Sequence, residues 1–120
     1  MTDEFTSRVF ALVDANDATA FSRLFTARGH LRFANNEPMT GPDEIEAGVK
    51  AFLSTIRGLR HTVVNEWIHG ADTVVELSVD YDRLDGREVT IPVVSIWHVD
   101  DTSGLIDDYR VFFDLAPVFA

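Results

Sequence analysis

Asp80 sits in the stretch VELSVDYDRLDG, residues 75–86, and a carboxylate there can do chemistry only if the chain hides it from water. The stretch alternates apolar and polar residues, the period of a strand with one buried face. Val75, Leu77, Val79 and Tyr81 form one parity, and Glu76, Ser78, Asp80 and Asp82 form the other. If the valine parity faces the core, Asp80 points to solvent. If Ser78 and Asp80 face a cavity, desolvation pushes the carboxyl pKa upward, and the group can give or take a proton near neutral pH. Alternation accommodates either orientation when both sheet faces are covered.

The other reactive residue types are sparse. His30, His61, His69 and His98 show neither an HExxH pattern nor close metal-ligand spacing, so no metal site is expected. His61 follows Arg60 at the start of a strand and is the histidine best placed to reach a pocket mouth; the others read as strand or turn residues. No serine stands in a G-x-S-x-G elbow, and no glycine-rich loop is present to cradle phosphate. The chain has no cysteine, which excludes thiolate chemistry, disulfides and cysteine-ligated zinc. No cofactor is expected.

The elements that must position these residues belong to a chain of 120 residues, the size of one domain spanning 1–120. Its 46% hydrophobic content sustains a core and excludes a disordered chain. Twenty acidic residues against ten basic ones give a net charge of −10, a field that repels nucleic acid and anionic membranes. No apolar run approaches the roughly 20 residues a membrane span needs. The N-terminal MTDEFTSR lacks the basic and apolar blocks of a signal peptide. A cytoplasmic protein without nucleic-acid or membrane partners is the expectation.

Phe5, Val9, Leu12 and Val13 mark an amphipathic helix over residues 3–15, and Asp17 is placed to cap a second short helix carrying Phe21, Leu24 and Phe25. Gly29 is expected to end the helical region, and residues 30–35 to form a short strand. The sequence GPDE at 41–44 starts a third helix, with proline in the first turn and acids near the positive end of the dipole. Ile45, Val49, Phe52 and Ile56 form its apolar stripe, and Gly58 reads as its C-cap. Strands over 61–69, 73–84, 87–99 and 105–115 follow, joined by short turn sequences that imply antiparallel hairpins. Asp107 and Asp108 are assigned to a solvated turn. Helices followed by a meander define an α+β domain. The strand over 87–99 is apolar on both parities, Ile91, Val93, Ser95 and Trp97 on one, Pro92, Val94, Ile96 and His98 on the other. Its second face needs a cover the chain is too short to supply, and a second copy is the simplest one, so a homodimer through the outer sheet face is expected.

The element order, the break at Asp17, the GPDEI helix start, the GLRHTV stretch and the C-terminal DYRVFFDLAPVF resemble the nuclear-transport-factor-2-like (cystatin-like) superfamily, and within it the SnoaL-like group of polyketide cyclases, limonene epoxide hydrolases and ketosteroid isomerases. The resemblance implies a cone: a curved antiparallel sheet wrapped around N-terminal helices, open at one end. The epoxide-hydrolase set does not carry over. Its first aspartate matches Asp80, but Ser78 and Val111 stand at its arginine and second aspartate, and Leu31 and Phe33 at its tyrosine and asparagine. The isomerase set is lost altogether, with Arg32, Val9 and Ser95 at its three positions. A SnoaL cyclase's single aspartate acid/base is matched by Asp80, and the resemblance turns Ser78 and Asp80 into the pocket.

On that reading the pocket is lined by Leu31, Phe33, Ser78, Ser95, Trp97, Tyr109, Val111 and Phe113, with His61 at its mouth. Such a lining suits a small hydrophobic ligand fixed by a few polar contacts. The expected function is a cofactor-free isomerase, cyclase or hydrolase with Asp80 as general acid/base. The alternative is a non-catalytic ligand-binding or dimerisation module of the same fold, in which these side chains simply fill a core.

Overall fold

Each of the first two helices begins on an aspartate cap. The computed structural model describes residues 2–120. In it α1 (Glu4–Asp14) starts with the Asp3 carboxylate accepting from the Phe5 amide at 3.0 Å, and α2 (Ala18–Ser22) with Asp17 accepting from the Ala20 amide. Asn16, at φ 59°, makes the sharp break between them. β1 (Phe25–Phe33) and the two-residue β2 (Met39–Thr40) precede α3 (Gly41–Leu53), whose first turn carries proline, and Glu44 accepts from the Thr40 amide at 3.1 Å. Then come β3 (Gly58–His69), β4 (Asp72–Asp82), β5 (Glu88–Val99), β6 (Ile106–Phe112) and a terminal turn of helix, α4 (Ala116–Phe119).

The strands form one curved, open sheet in the order β2-β1-β6-β5-β4-β3. All neighbours are antiparallel except β1 and β6, which run parallel because the helical and hairpin segments between them return the chain to the same direction. The architecture is the α+β arrangement expected, with α1 against β3 and α3 against β1 on the concave side.

Three local expectations are corrected. β1 starts at Phe25, so Gly29 lies inside a strand instead of ending a helix. A Cβ at Gly29 would stand 2.8 Å from the Ile106 carbonyl oxygen, so the glycine lets β1 approach β6 where the register shifts between Phe25 and His30. Gly58 opens β3, and α3 ends earlier, on Ser54. Asp107 and Asp108 belong to β6, where Asp107 meets His98 Nδ1 at 2.7 Å and Asp108 pairs with Arg110.

The β4–β5 register fixes which parity is inside. Residues 83–87 form a tight link, closed by the Arg83 amide donating to the Arg87 carbonyl at 2.8 Å. The link sets Asp82 opposite Glu88, and therefore Asp80 opposite Thr90 and Val79 opposite Ile91. Opposed residues share a face. Val75, Leu77, Val79 and Tyr81 are therefore buried with Ile91, Val93, Ser95 and Trp97, under the helices. The even-numbered residues of both strands face outward.

Replacing Gly29 with alanine is expected to cost about 1–3 kcal/mol, because the new methyl meets backbone that cannot step aside. Gly58→Ala, where a Cβ meets nothing within 4 Å, serves as the control and shifts stability far less. Urea denaturation of both variants checks this.

Candidate functional site

Between helices and sheet lies an enclosed, mostly apolar cavity of about 50 Å³. On the same measure one water needs roughly 10–15 Å³, so the cavity admits about four water-sized groups. Leu31 and Phe33 from β1, Ser95 from β5, Tyr109 and Val111 from β6, and Phe113 beyond it line the cavity, together with His61. These seven agree with the sequence-derived lining, because each lies on the inward parity of its strand. Phe10, Phe21, Phe52 and Tyr81 complete an aromatic wall. Phe33 meets Phe52 at 5.6 Å and Phe113 at 6.0 Å between ring centres, and Tyr109 donates to Ser95 Oγ at 3.3 Å.

Three expected members are elsewhere. Trp97 is buried beneath α1, packed against Phe5, Phe10 and Tyr109, and borders a separate open groove near Asp3 and Gly70. Its indole N–H has no partner among the described residues. Ser78 and Asp80 lie on the outer sheet face, opposite Thr62 and Pro92 in one case and Arg60 and Thr90 in the other. The pocket-facing orientation of Asp80 is thus corrected: the hairpin register gives it the parity of Thr90. Its carboxylate accepts from Thr90 Oγ1 and from Arg60 Nη2, each at 2.6 Å. The Thr90 hydroxyl first, and the Arg60 guanidinium after it, hold its pKa below the ordinary 3.8, opposite to the rise a buried acid/base would show.

The histidine on the cavity wall is His61. Its side chain is 11% exposed and its ring stacks on Phe10 at 4.8 Å. His61 Nδ1 lies 2.6 Å from Asp14 Oδ1, and the His61 amide donates to both Asp14 oxygens, at 3.1 and 3.3 Å. One residue therefore holds the carboxylate through backbone and ring together. Asp14 was not singled out from sequence, since 47 positions separate it from His61. One signal was there: Asp14 is the last residue of α1, where the negative end of the helix dipole disfavours a carboxylate. An acid kept at such a site has a partner elsewhere in the fold. Tyr81 is missing from the sequence-derived lining because turning Ser78 and Asp80 into the pocket turns its parity outward.

The family model for the SnoaL-like domain matches residues 6–109. The chain belongs to the SnoaL-like domain family. Solved structures agree on the fold. A hypothetical protein with a ketosteroid-isomerase-like fold from Catenulispora acidiphila, in complex with trimethylamine, superposes with a TM-score of 0.88 at 18% identity, covering 98% of this chain and 91% of that one. An NTF2-like protein of unknown function from Burkholderia pseudomallei gives 0.84 at 16% identity, covering 95% and 91%. A protein named a SnoaL-like polyketide cyclase, from Jannaschia sp., gives 0.77 at 20%, covering 95% and 88%. No curated protein matches in sequence. The SnoaL-like fold supports small-molecule binding or a cyclase-like role at family level. No helix among the described residues is long and apolar enough to cross a membrane.

Asp80→Asn is expected to leave ligand binding in the cavity within about twofold of wild type, since the side chain does not line it. Its effect on stability has a defined pH dependence. A carboxyl with a lowered folded pKa stabilises above its unfolded value, and that contribution is lost as pH falls through the folded value. The melting-temperature gap between wild type and Asp80→Asn should therefore be present at neutral pH and close as the pH drops below 3.8.

Proposed function

We propose that this SnoaL-like protein binds a small, largely apolar molecule in its inner cavity and moves a proton on it without a cofactor. His61 is the acid/base and Asp14 positions it. The observation that carries this reading is the 2.6 Å contact between His61 Nδ1 and Asp14 on the wall of an otherwise apolar cavity. An ionised carboxylate only accepts, so the contact places a proton on Nδ1 and leaves Nε2 as the nitrogen free to take or return one. The role the sequence suggested for Asp80 passes to His61, because Asp80 is held as a paired carboxylate on the far side of the sheet. Isomerisation, cyclisation and water addition are all within the reach of one such group. The relative from Catenulispora, solved with trimethylamine, supports a ligand of few atoms.

A second reading is favoured by size. Ordinary ligand pockets span roughly 300–1,000 Å³, and this cavity is far smaller. On that reading the fold serves as a binding or dimerisation module.

The same proposal includes a homodimer through the outer sheet face. Trp67 and Phe112 are 54% and 48% exposed there, and Val74, Val94, Ile96 and Pro92 lie between them on neighbouring strands. A cysteine-free, strongly acidic chain suits the cytoplasm.

Two measurements test these points. Exchange of the α-hydrogens of acetone with D2O, followed by NMR, should be accelerated by the protein and fall about 10²–10⁴-fold in His61→Gln. In Asp14→Asn the rate should fall and the 15N shifts of the His61 ring should report loss of the Nδ1–H tautomer. Equal rates for wild type and His61→Gln would favour the binding module. For the dimer, light scattering should show two copies for the wild type and one for Ile96→Glu, which buries a charge in the proposed interface. A wild-type monomer would end that part.

A further inference from the structure

The proposed proton transfer makes no use of the Tyr81 hydroxyl. Tyr81 is 3% exposed and lines the same cavity as His61. Buried tyrosine hydroxyls ordinarily find a hydrogen-bond partner. The Tyr81 hydroxyl has none among the described residues, unlike Tyr109, which spends its proton on Ser95. It is also absent from the two side-chain atoms, Glu66 Oε2 and Trp97 Nε1, that are sealed from any probe and unpartnered. So the hydroxyl is accessible although its residue is almost fully enclosed, and that residue borders the cavity.

Register brings this hydroxyl near the dyad. His61 lies opposite Val79, and Tyr81 is the next residue of that parity on β4. Such diagonal neighbours have Cα atoms roughly 7–8 Å apart and side chains on one face. The edge of Phe52 packs on the Tyr81 ring at 6.4 Å, and Leu59 lies opposite it, so the ring is held by apolar neighbours and the hydroxyl alone is left for a ligand. Burial also raises the phenol pKa well above its usual range, which keeps the proton on oxygen and the group a donor.

We infer that Tyr81 is a specificity-determining donor: it selects, within the proposed cavity, small apolar molecules that carry one hydrogen-bond-accepting oxygen, such as a ketone, and holds that oxygen while His61 faces the carbon skeleton. This rests on the ligand-binding reading of the cavity and adds the substrate class. A site with a buried, unpartnered donor discriminates against an isostere lacking the acceptor, because the donor is then desolvated for nothing.

The test compares acetone with isobutene, equal in shape and differing in the acceptor, by NMR titration of wild type and Tyr81→Phe. The ratio of the two affinities should move about three- to tenfold against the ketone in Tyr81→Phe, the size of one neutral hydrogen bond. Because the hydroxyl has no internal partner, Tyr81→Phe should melt no lower than wild type. An unchanged ratio, or a clear drop in melting temperature showing that the hydroxyl serves the fold, overturns the assignment of Tyr81 and leaves the cavity reading intact. Failure of both probes to bind the wild type overturns the cavity reading and this assignment with it.

Discussion

The register between β4 and β5 governs everything else in this molecule. A five-residue link sets Asp82 against Glu88, and from that pairing every residue of the two longest central strands is assigned to one face or the other. Inside go valines, leucine, tyrosine and tryptophan; outside go Asp80, Ser78 and Glu76. A shift of one residue would reverse the assignment and drive three polar side chains beneath the helices. Buried apolar area contributes about 25 cal/mol per Å², so the penalty for such a slip is many times the stability of a typical domain's single contact. The helices can dock only on the face this pairing makes apolar, and the cavity exists only because the docking is incomplete among large aromatic rings.

Within that frame the His61–Asp14 pair joins the two layers at a point where neither is electrostatically at ease alone. A carboxylate at the end of α1 faces the negative pole of its own helix. The β3 amide and imidazole supply the donors that the helix cannot. The contact therefore does two things. It fastens the first helix to the sheet, and it orients the imidazole on the cavity wall.

Much of the fold was legible in sequence, since helix caps, turn residues and hydrophobic period are local signals. Asp17 and GPDE mark helix starts that the structure keeps, and Leu31, Phe33, Ser95, Tyr109, Val111 and Phe113, all of one inward parity on β1, β5 and β6, border the cavity. Family likeness supplied the SnoaL-like assignment. What sequence left open was non-local. Alternation in β4 is equally good in both directions, and only the register of the link with β5 decides it; the family-based choice for Asp80 was therefore the wrong one of two permitted. Gly29 carries a helix-stop signal locally, yet the chain uses it for close strand approach. Asp14 and His61 are distant in sequence, and their pairing depends on where α1 lies across β3.

β3 closes one edge of the sheet and leaves a line of backbone donors and acceptors without a neighbour, with Val64, Trp67 and Ile68 each more than half exposed along it. An edge of this kind is a template for stacking chain upon chain. The register break between Val63 and Asn65 interrupts it: the ladder loses its even spacing and the strand bends at its midpoint. A second sheet could then follow the edge for only half its length. The irregularity that looks like a flaw in β3 thus shortens the stretch along which another chain's strand could pair.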